Sequence, residues 1–234
     1  MFVSPSVTRI ASTKLESHQG RPVVEHWMSL EGMPGNDPEH LVEFAGRTCY
    51  ESYGRPREAT GDTHKYIQRT VHEQHHYSIL EHASVSYFVT GVSRSLLAEL
   101  TRHRHLSFSV RSQRFVDESD SPMVLPPALR QASEDSRIRL AGVGSYTQQT
   151  YLDIVEELEE AGYPRKQARE AARSVLPNMA EVRMVVSGNL RAWLDLVPKR
   201  VAPGADAEIR QVVSMIQEDL HDYAPSVFQA PTLS

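Results

Sequence analysis

The sequence between residues 102 and 114 reads Arg102-His103-Arg104-His105-Leu106-Ser107-Phe108-Ser109-Val110-Arg111-Ser112-Gln113-Arg114, and both fold and function are inferred outward from it. It places four arginines, two histidines and three serines in thirteen positions. A packed core does not tolerate that density of charge, whereas guanidinium groups match phosphate oxygens and serine hydroxyls donate further hydrogen bonds. The stretch, called here the basic tract, therefore predicts a site for a phosphorylated small molecule or cofactor.

The overall charge limits the partners of the basic tract. The 234 residues carry a formal net charge of −5, whereas nucleic-acid-binding proteins usually carry a clear basic excess. We therefore expect no nucleic-acid partner and interpret the basic tract as a local pocket on an acidic surface. A basic loop that binds nucleic acid is the disfavoured alternative.

Other global features predict a single cytoplasmic domain. No linker rich in proline or glycine divides residues 1–234, so one domain is predicted over the whole chain. The single cysteine, Cys49, cannot form an internal disulfide, and the N-terminus lacks the pattern of a signal peptide. No apolar run approaches the roughly 18 residues that a membrane-spanning helix needs, so no membrane partner is expected.

Local patterns predict a mixture of helices and strands. Alternating apolar and polar residues, rich in β-branched and aromatic types, predict strands over 83–92 and 182–186, and 7–11 is a further strand candidate. Helix-start signals and apolar periodicity predict helices over 37–49, 63–74 and 93–100, and a long helical region opened by Pro126-Pro127. Three further helices are predicted: one from Pro164, one over 190–197 that ends at a break at Pro198, and a last one around 209–220. The aromatic residues predicted to lie in the core are Trp27, Tyr87, Phe88 and Trp193.

The basic tract also resembles a family signature. Arg102-His103-Arg104, then seven residues, then Ser112 with Gln113-Arg114, is similar to the signature of the flavin-dependent thymidylate synthases. The resemblance continues through residues 78–84, 172–177 and 188–193 and covers most of the chain from about Asp37 to about Leu220. It implies an α+β fold in which a mixed or antiparallel sheet is flanked by helices.

The same resemblance implies an activity. Members carry out a reductive C5-methylation of a uridylate nucleotide, dUMP to dTMP, with FAD as cofactor. Methylenetetrahydrofolate supplies the carbon and NADPH reduces the flavin. The family assembles as a homotetramer with each active site built from several chains, and cofactor sites are often formed at interfaces.

The resemblance assigns residues to the flavin one by one. In the first half of the basic tract it implies flavin contacts for Arg102, His103 and Arg104. Outside the tract it implies contacts for His76, Ser78 and Asn189, and it places Asp195 where a histidine or asparagine is expected near the flavin.

The resemblance assigns a second set to the nucleotide: Glu99, Arg102, Val110, Arg111, Ser112, Gln113, Arg114, Arg173 and Arg200. Arg200 is the expected catalytic residue, which contacts the pyrimidine and helps to ionise N3, because a guanidinium stays charged and stabilises negative charge on the ring. Arg173 belongs to a run with Arg165 and Arg169 at every fourth position, a pattern that by itself is more typical of a solvated helix face.

Departures from the family pattern keep other functions open. Val110 stands where a glutamine or glutamate is usual, Arg111 where an apolar residue is usual, and Gly204 where a histidine is usual. Because Val110 and Arg111 lie in the nucleotide half, UMP is a rival substrate, as in nucleoside-antibiotic pathways. A flavin- or nucleotide-binding protein without catalysis is an alternative of another class.

Two further chemistries are not expected. The histidines at 72, 75, 76, 82, 103 and 105 are not completed by cysteines or acidic residues at a zinc spacing, so no metal site is predicted. Cys49 is predicted to lie on a helix with Arg47 as its one electropositive neighbour, so it is not expected to act as a nucleophile.

Overall fold

The computed structural model describes residues 2–55 and 57–229, and within them helices and strands are mixed. The strands are β1 (Phe2–Val3), β2 (Ser6–Ser12), β3 (Ser17–His18), β4 (Arg21–Pro22), β5 (Ser84–Ser93), β6 (Ser107–Val110), β7 (Met123–Val124) and β8 (Glu181–Asn189). The α-helices are α1 (Asp37–Thr48), α2 (Thr63–Ile67), α3 (Arg94–Leu100), α4 (Glu134–Glu160), α5 (Arg165–Ala172), α6 (Leu190–Val201) and α7 (Ala207–Tyr223). A π-helical segment, Gln68–Glu73, continues α2.

The main sheet has four strands in the order β2-β5-β8-β6, and all its pairs are antiparallel. The register of β5 and β8 runs from Ser84 opposite Asn189 to Ser93 opposite Glu181. A separate pair, β1 with β7, is parallel, and β3 forms a small antiparallel hairpin with β4. Helices with antiparallel sheets make the chain an α+β protein, as the sequence predicts.

One face of the main sheet carries the principal core. Alternate residues of β5 and β8 point inward because side chains of a strand alternate between the two faces. They pack against α6 and α7, and the buried set includes Val85, Tyr87, Val89, Val182, Met184, Val186, Trp193, Leu196, Ile209, Val213, Ile216 and Leu220. Tyr87 meets Trp193 edge to face at 5.4 Å between ring centroids and donates a hydrogen bond to Asp219 at 2.7 Å.

The prediction of core aromatics is half correct. Tyr87 and Trp193 are fully buried, whereas Trp27 is 53% exposed and Phe88 is 39% exposed. Phe88 lies on the outer face of β5, the opposite side of the strand from Tyr87. Trp27 contacts the rings of His26 and Phe44 at the surface, so hydrophobicity alone gave the wrong environment for both residues.

The predicted helix break at Pro198 is wrong. Helix α6 continues through Pro198 to Val201, so Arg200 lies in its last turn and not beyond its end. A proline inside a helix costs about 3 kcal/mol. Buried Trp193, Leu196 and Val197 on the same helix, and the hydrogen bonds of Arg200 described below, offset that cost.

Helix α1 begins at Asp37 as predicted, whereas α4 begins later than the prediction. The N-cap of α1 is Asn36, which forms a capping box with Glu39, while the Asp37 carboxylate accepts a hydrogen bond from the Leu15 backbone. After Pro126-Pro127 only a short 3-10 turn forms, Pro127–Gln131, and α4 begins at Glu134 with Ser133 as its cap. Capping side chains decide both boundaries.

Across the described ranges, none of the helices has both the length and the apolar character required to cross a membrane.

Candidate active site

The basic tract is anchored on the apolar core. Ser93 caps α3 through a hydrogen bond from Leu96 N at 3.1 Å, and this short helix ends just before Arg102. Leu106 is buried, and β6 pairs with β8 while Phe108 and Val110 pack against the core. Strand β6 was not predicted because its four residues, Ser107–Val110, are short of a full pattern and stand between stretches rich in arginine. The tract therefore presents its charged residues from a fixed backbone.

Arg200 joins α6 to the first half of the tract. Its Nε donates to His103 Nε2 at 2.8 Å, its Nη1 donates to Glu99 Oε2 at 2.8 Å, and its Nη2 donates to the Glu99 carbonyl at 3.3 Å. Its side chain is mostly buried. Three predicted site residues thus meet in one cluster, and Arg200 is held in a single orientation.

His103 accepts its hydrogen bond from a cation, which requires a neutral imidazole. Burial lowers the pKa of His103 below its ordinary value, and the charges of Arg200 and Lys199 lower it further. Asp195 opposes this effect and forms an ion pair with Lys199 at 2.6 Å. The imidazole is therefore neutral at neutral pH.

Arg94 is a site residue that the sequence analysis missed. Burial lowers the pKa of its guanidinium, and the neighbouring charge of Arg173 lowers it further, whereas Glu118 raises it. Within the described residues neither Arg94 nor Arg173 makes a side-chain hydrogen bond or ion pair. Guanidinium groups within electrostatic range of each other, with no partner among the described residues, are the groups with which an anion would pair. Arg94 directly follows Ser93, the N-cap of α3, and the sequence analysis interpreted this position only as part of a helix start.

The arginines that recur along α5 separate into two kinds. Arg165 pairs with Glu159 at 3.0 Å, and Arg169 pairs with Asp117 at 2.8 Å and donates to the Phe115 carbonyl at 2.6 Å. Only Arg173, of these three, is left without a partner among the described side chains. Its position is fixed by a small second core, Tyr151, Val155, Ala168 and Ala172, which packs α4 against α5.

The second half of the tract contains another unsatisfied donor. Gln113 is buried, and its Nε2 has no hydrogen-bond partner among the described residues. A buried amide without a partner costs free energy unless a ligand satisfies it. Ser112 is half-buried, and Arg114 makes a long contact of 3.8 Å with Glu170 and lies over the Phe115 ring at 5.8 Å.

Arg111 and Val110 have different environments from their neighbours. The Arg111 guanidinium is engaged by carboxylates of this chain, with Nη2 donating to Glu118 Oε2 at 2.6 Å. Val110 packs against the core. These contacts turn both side chains toward protein groups.

The residues assigned to the flavin fall in two places. His76 and Ser78 line a cleft of about 460 Å³ together with Tyr50, Tyr77 and Arg191. Asn189 lies at the same edge of the sheet, where its Oδ1 accepts from Ala192 N at 2.9 Å and caps α6. Arg102 and Arg104 are exposed near the other end of α6. The strand that follows them, β6, pairs with β8 and places Ser107 opposite Ser187, two residues from Asn189.

Within residues 2–55 and 57–229, no three histidine, cysteine, aspartate or glutamate side chains converge to hold a metal ion. Cys49 is exposed at the end of α1, and its thiol contacts the Ala45 carbonyl at 3.6 Å.

Comparison with known proteins identifies the class. The family model described as thymidylate synthase complementing protein matches residues 30–226. A probable flavin-dependent thymidylate synthase of Mycobacterium phage L5 is 46% identical over 197 residues, which cover 82% of this chain and 80% of that protein. The flavin-dependent thymidylate synthase of Mycobacterium avium is 46% identical over 195 residues, which cover 80% and 77%.

The fold, the anion site and these similarities define an enzyme of the methyltransferase class. The chain belongs to the flavin-dependent thymidylate synthase family.

Proposed function

We propose that the enzyme catalyses the FAD-dependent reductive C5-methylation of dUMP to dTMP, with methylenetetrahydrofolate as carbon donor and NADPH as reductant. The observation that carries this proposal is that the Arg94 and Arg173 guanidinium groups and the buried Gln113 amide nitrogen have no side-chain partner among the described residues. A nucleotide monophosphate supplies the dianion and the polar groups that this site lacks. The names of the relatives support the choice of thymidylate chemistry.

Each half of the nucleotide has its own residues in this proposal. Arg94 and Arg173 hold the phosphate, with Ser112, Gln113 and Arg114 contributing from the loop. Arg200 faces the pyrimidine. A guanidinium has five N–H donors, of which three already hold Glu99 and His103, so two remain for the ring. Because protein contacts fix Arg200 beforehand, it stabilises negative charge at N3 without reorganisation.

The cleft around His76 and Ser78 fits part of a flavin cofactor. Its imidazole, hydroxyl and guanidinium groups, the last from Arg191, are donors suited to a pyrophosphate and ring carbonyls. When bound there, FAD supplies the hydride that completes the methyl group. The chain's own groups bind and orient it, and Asn189 keeps its amide nitrogen available because only its oxygen caps α6.

A shared active site is what the family resemblance implies, and the exposure of two of the flavin residues supports it. Arg102 and Arg104 are exposed in the turn before β6. A second copy of the chain that contributes Arg102 and Arg104 to the His76 cleft would complete the site. We therefore propose a homotetramer with active sites built from several chains.

The decisive experiment incubates the FAD-loaded protein with dUMP, methylenetetrahydrofolate and NADPH and identifies the nucleotide product by mass spectrometry. Formation of dTMP, which is heavier than dUMP by the mass of a methylene group, about 14 mass units, supports the proposal. Binding of FAD and dUMP without product would establish instead a binding protein without catalysis. Failure to bind either one would reject the proposed function altogether.

A further inference from the structure

Arg111 lies between two buried carboxylates. Its Nη2 and Nε donate to the two oxygens of Glu118 at 2.6 and 3.2 Å, and its Nη1 lies 3.6 Å from Glu181 Oε2. The same guanidinium contacts the Ser121 hydroxyl. The Arg111 side chain is 15% exposed and that of Glu118 is 1% exposed, so solvent screens this pair weakly.

Glu118 has two cations within its reach. All the side-chain hydrogen bonds that its carboxylate accepts from described residues come from Arg111. Arg94 follows Ser93, which lies opposite Glu181 in the sheet, and the Arg94 backbone N donates to the Ala180 carbonyl at 3.2 Å. Burial lowers the pKa of Arg94 and the charge of Glu118 opposes this effect, yet Arg94 forms no ion pair with Glu118. A buried carboxylate without a partner is strongly destabilised. Arg111 therefore satisfies a charge that would otherwise be available to capture Arg94.

The ion pair also closes a loop. Arg111 and Glu118 flank residues 112–117, which include Ser112, Gln113 and Arg114. Beyond Glu118 the chain is held again, because Gln148 donates to the Ser121 carbonyl at 2.6 Å. Fixing the two ends of such a short segment restricts the conformations open to the residues between them.

We propose that Arg111 is a positioning residue, which fastens residues 112–121 through Glu118 and thereby leaves Arg94 free to bind the phosphate of the nucleotide. The inference that Arg111 fastens the loop is drawn from geometry alone, whereas its effect on nucleotide binding rests on the proposed function. This role differs from the direct nucleotide contact that the resemblance implies for Arg111.

Substitution separates these two roles. In Arg111→Leu the buried Glu118 carboxylate loses its partner and turns to Arg94 or takes up a proton, and the loop loosens. In the double variant Arg111→Leu, Glu118→Gln the charge that would capture Arg94 is absent, so Arg94 is free again. The second change does not refasten the loop, but it removes the charge that captures Arg94, so it restores the dUMP affinity that depends on Arg94. It restores nothing if Arg111 contacts the nucleotide directly.

The experiment uses the full-length protein and two readouts. Hydrogen exchange of residues 112–121, measured without nucleotide, should be faster in Arg111→Leu than in the wild type. For the FAD-loaded enzyme, calorimetry with dUMP should give a Kd raised about tenfold in Arg111→Leu, equivalent to about 1.4 kcal/mol. The double variant should return to within about threefold of the wild-type Kd, and kcat at saturating dUMP should change less than KM.

Arg183→Leu is the matched control. Arg183 pairs with Glu181 at 3.1 Å but makes no hydrogen bond or ion pair with Glu118, so its loss should leave dUMP binding unchanged. If Arg111→Leu does not fold, Arg111→Lys keeps the charge without the bidentate fork and gives a smaller shift of the same sign.

Three results would overturn the proposal or its basis. Unchanged exchange of residues 112–121 in Arg111→Leu, or in Arg111→Lys where that variant replaces it, excludes the fastening role whatever the nucleotide data show. A double variant that binds dUMP as weakly as Arg111→Leu excludes the capture of Arg94 by Glu118 and so rejects the proposed link between Arg111 and phosphate binding. Absence of dUMP binding by the wild type rejects the proposed function, and the exchange data then still decide whether Arg111 fastens the loop.

Discussion

Arg200 Nε donates a hydrogen bond to His103 Nε2 at 2.8 Å, which joins two residues 97 positions apart in the chain. The acceptor nitrogen exists only while the imidazole is neutral. Protonation would replace the hydrogen bond with repulsion between two cations. The geometry of Arg200 therefore depends on the protonation state of a neighbouring residue.

This dependence predicts a loss of stability in acid. Burial and Arg200 lower the pKa of His103 in the folded protein, whereas in the unfolded chain it has its ordinary value of about 6.5. Below about pH 6.5 the unfolded state binds the extra proton first, so the free energy of unfolding falls until the folded-state pKa is reached. Urea unfolding at several pH values should show this contribution in the wild type. It should be absent in His103→Gln, whose amide oxygen accepts at every pH.

Arg94→Ala should weaken dUMP binding more than Arg165→Ala. Each lost charge-assisted hydrogen bond costs about 1.5–3 kcal/mol, and Arg94 is half-buried without a partner in the described structure, whereas the exposed Arg165 pairs with Glu159. Calorimetry of both FAD-loaded variants with dUMP gives the comparison. Equal affinities would remove Arg94 from the phosphate site.

Arg104→Ala should weaken FAD binding, because Arg104 is an exposed cation in the half of the tract assigned to the flavin. The expected loss is about 1.5–3 kcal/mol per charge-assisted hydrogen bond. Equilibrium dialysis with FAD measures it, and Arg21→Ala, an exposed arginine of β4, serves as the control. A wild-type protein that is colourless and takes up no added FAD would contradict the assignment.

Cys49→Ser should retain turnover while Arg200→Ala loses most of it. Cys49 is exposed at the end of α1, whereas Arg200 is fixed by Glu99 and His103. Removing one preoriented donor typically costs about 10²–10³ in kcat. A folded but inactive serine variant would assign the activation of the pyrimidine to a thiol.

Competition between dUMP and UMP in one reaction should give dTMP as the main product. Val110 packs against the core, so the absence of a polar side chain at this position does not by itself open a ribose pocket. A predominance of 5-methyl-UMP would reverse this choice. In that case Val110→Gln should move the product ratio toward dTMP by several-fold, since one polar contact is worth about 1 kcal/mol.

Local signals predicted much of the scaffold of the site. The alternation in β5, the cap at Ser93 and the apolar face of α3 are contained in neighbouring residues, and the structure confirms all three. Strand β6 could not be predicted in this way, because it exists through pairing with β8, more than seventy residues later.

Contacts with residues distant in the sequence account for the features of the site that were not predicted. Nothing near Arg111 indicates which of several acidic residues it pairs with, and nothing near Arg94 shows that the charge of Arg173 acts on it. The continuation of α6 past Pro198 likewise depends on tertiary contacts that offset the local cost of proline.

Helix α6 carries Asn189 as the cap at its first end and Arg200 in its last turn. Its length therefore fixes the distance between these two residues. Inserting or deleting one residue between them would rotate Arg200 by about 100° about the helix axis and shift it by about 1.5 Å. Neither Glu99 nor His103 could then meet the guanidinium. Substitutions on the outer face of α6 thus leave the position of Arg200 unchanged, whereas insertions and deletions within α6 do not.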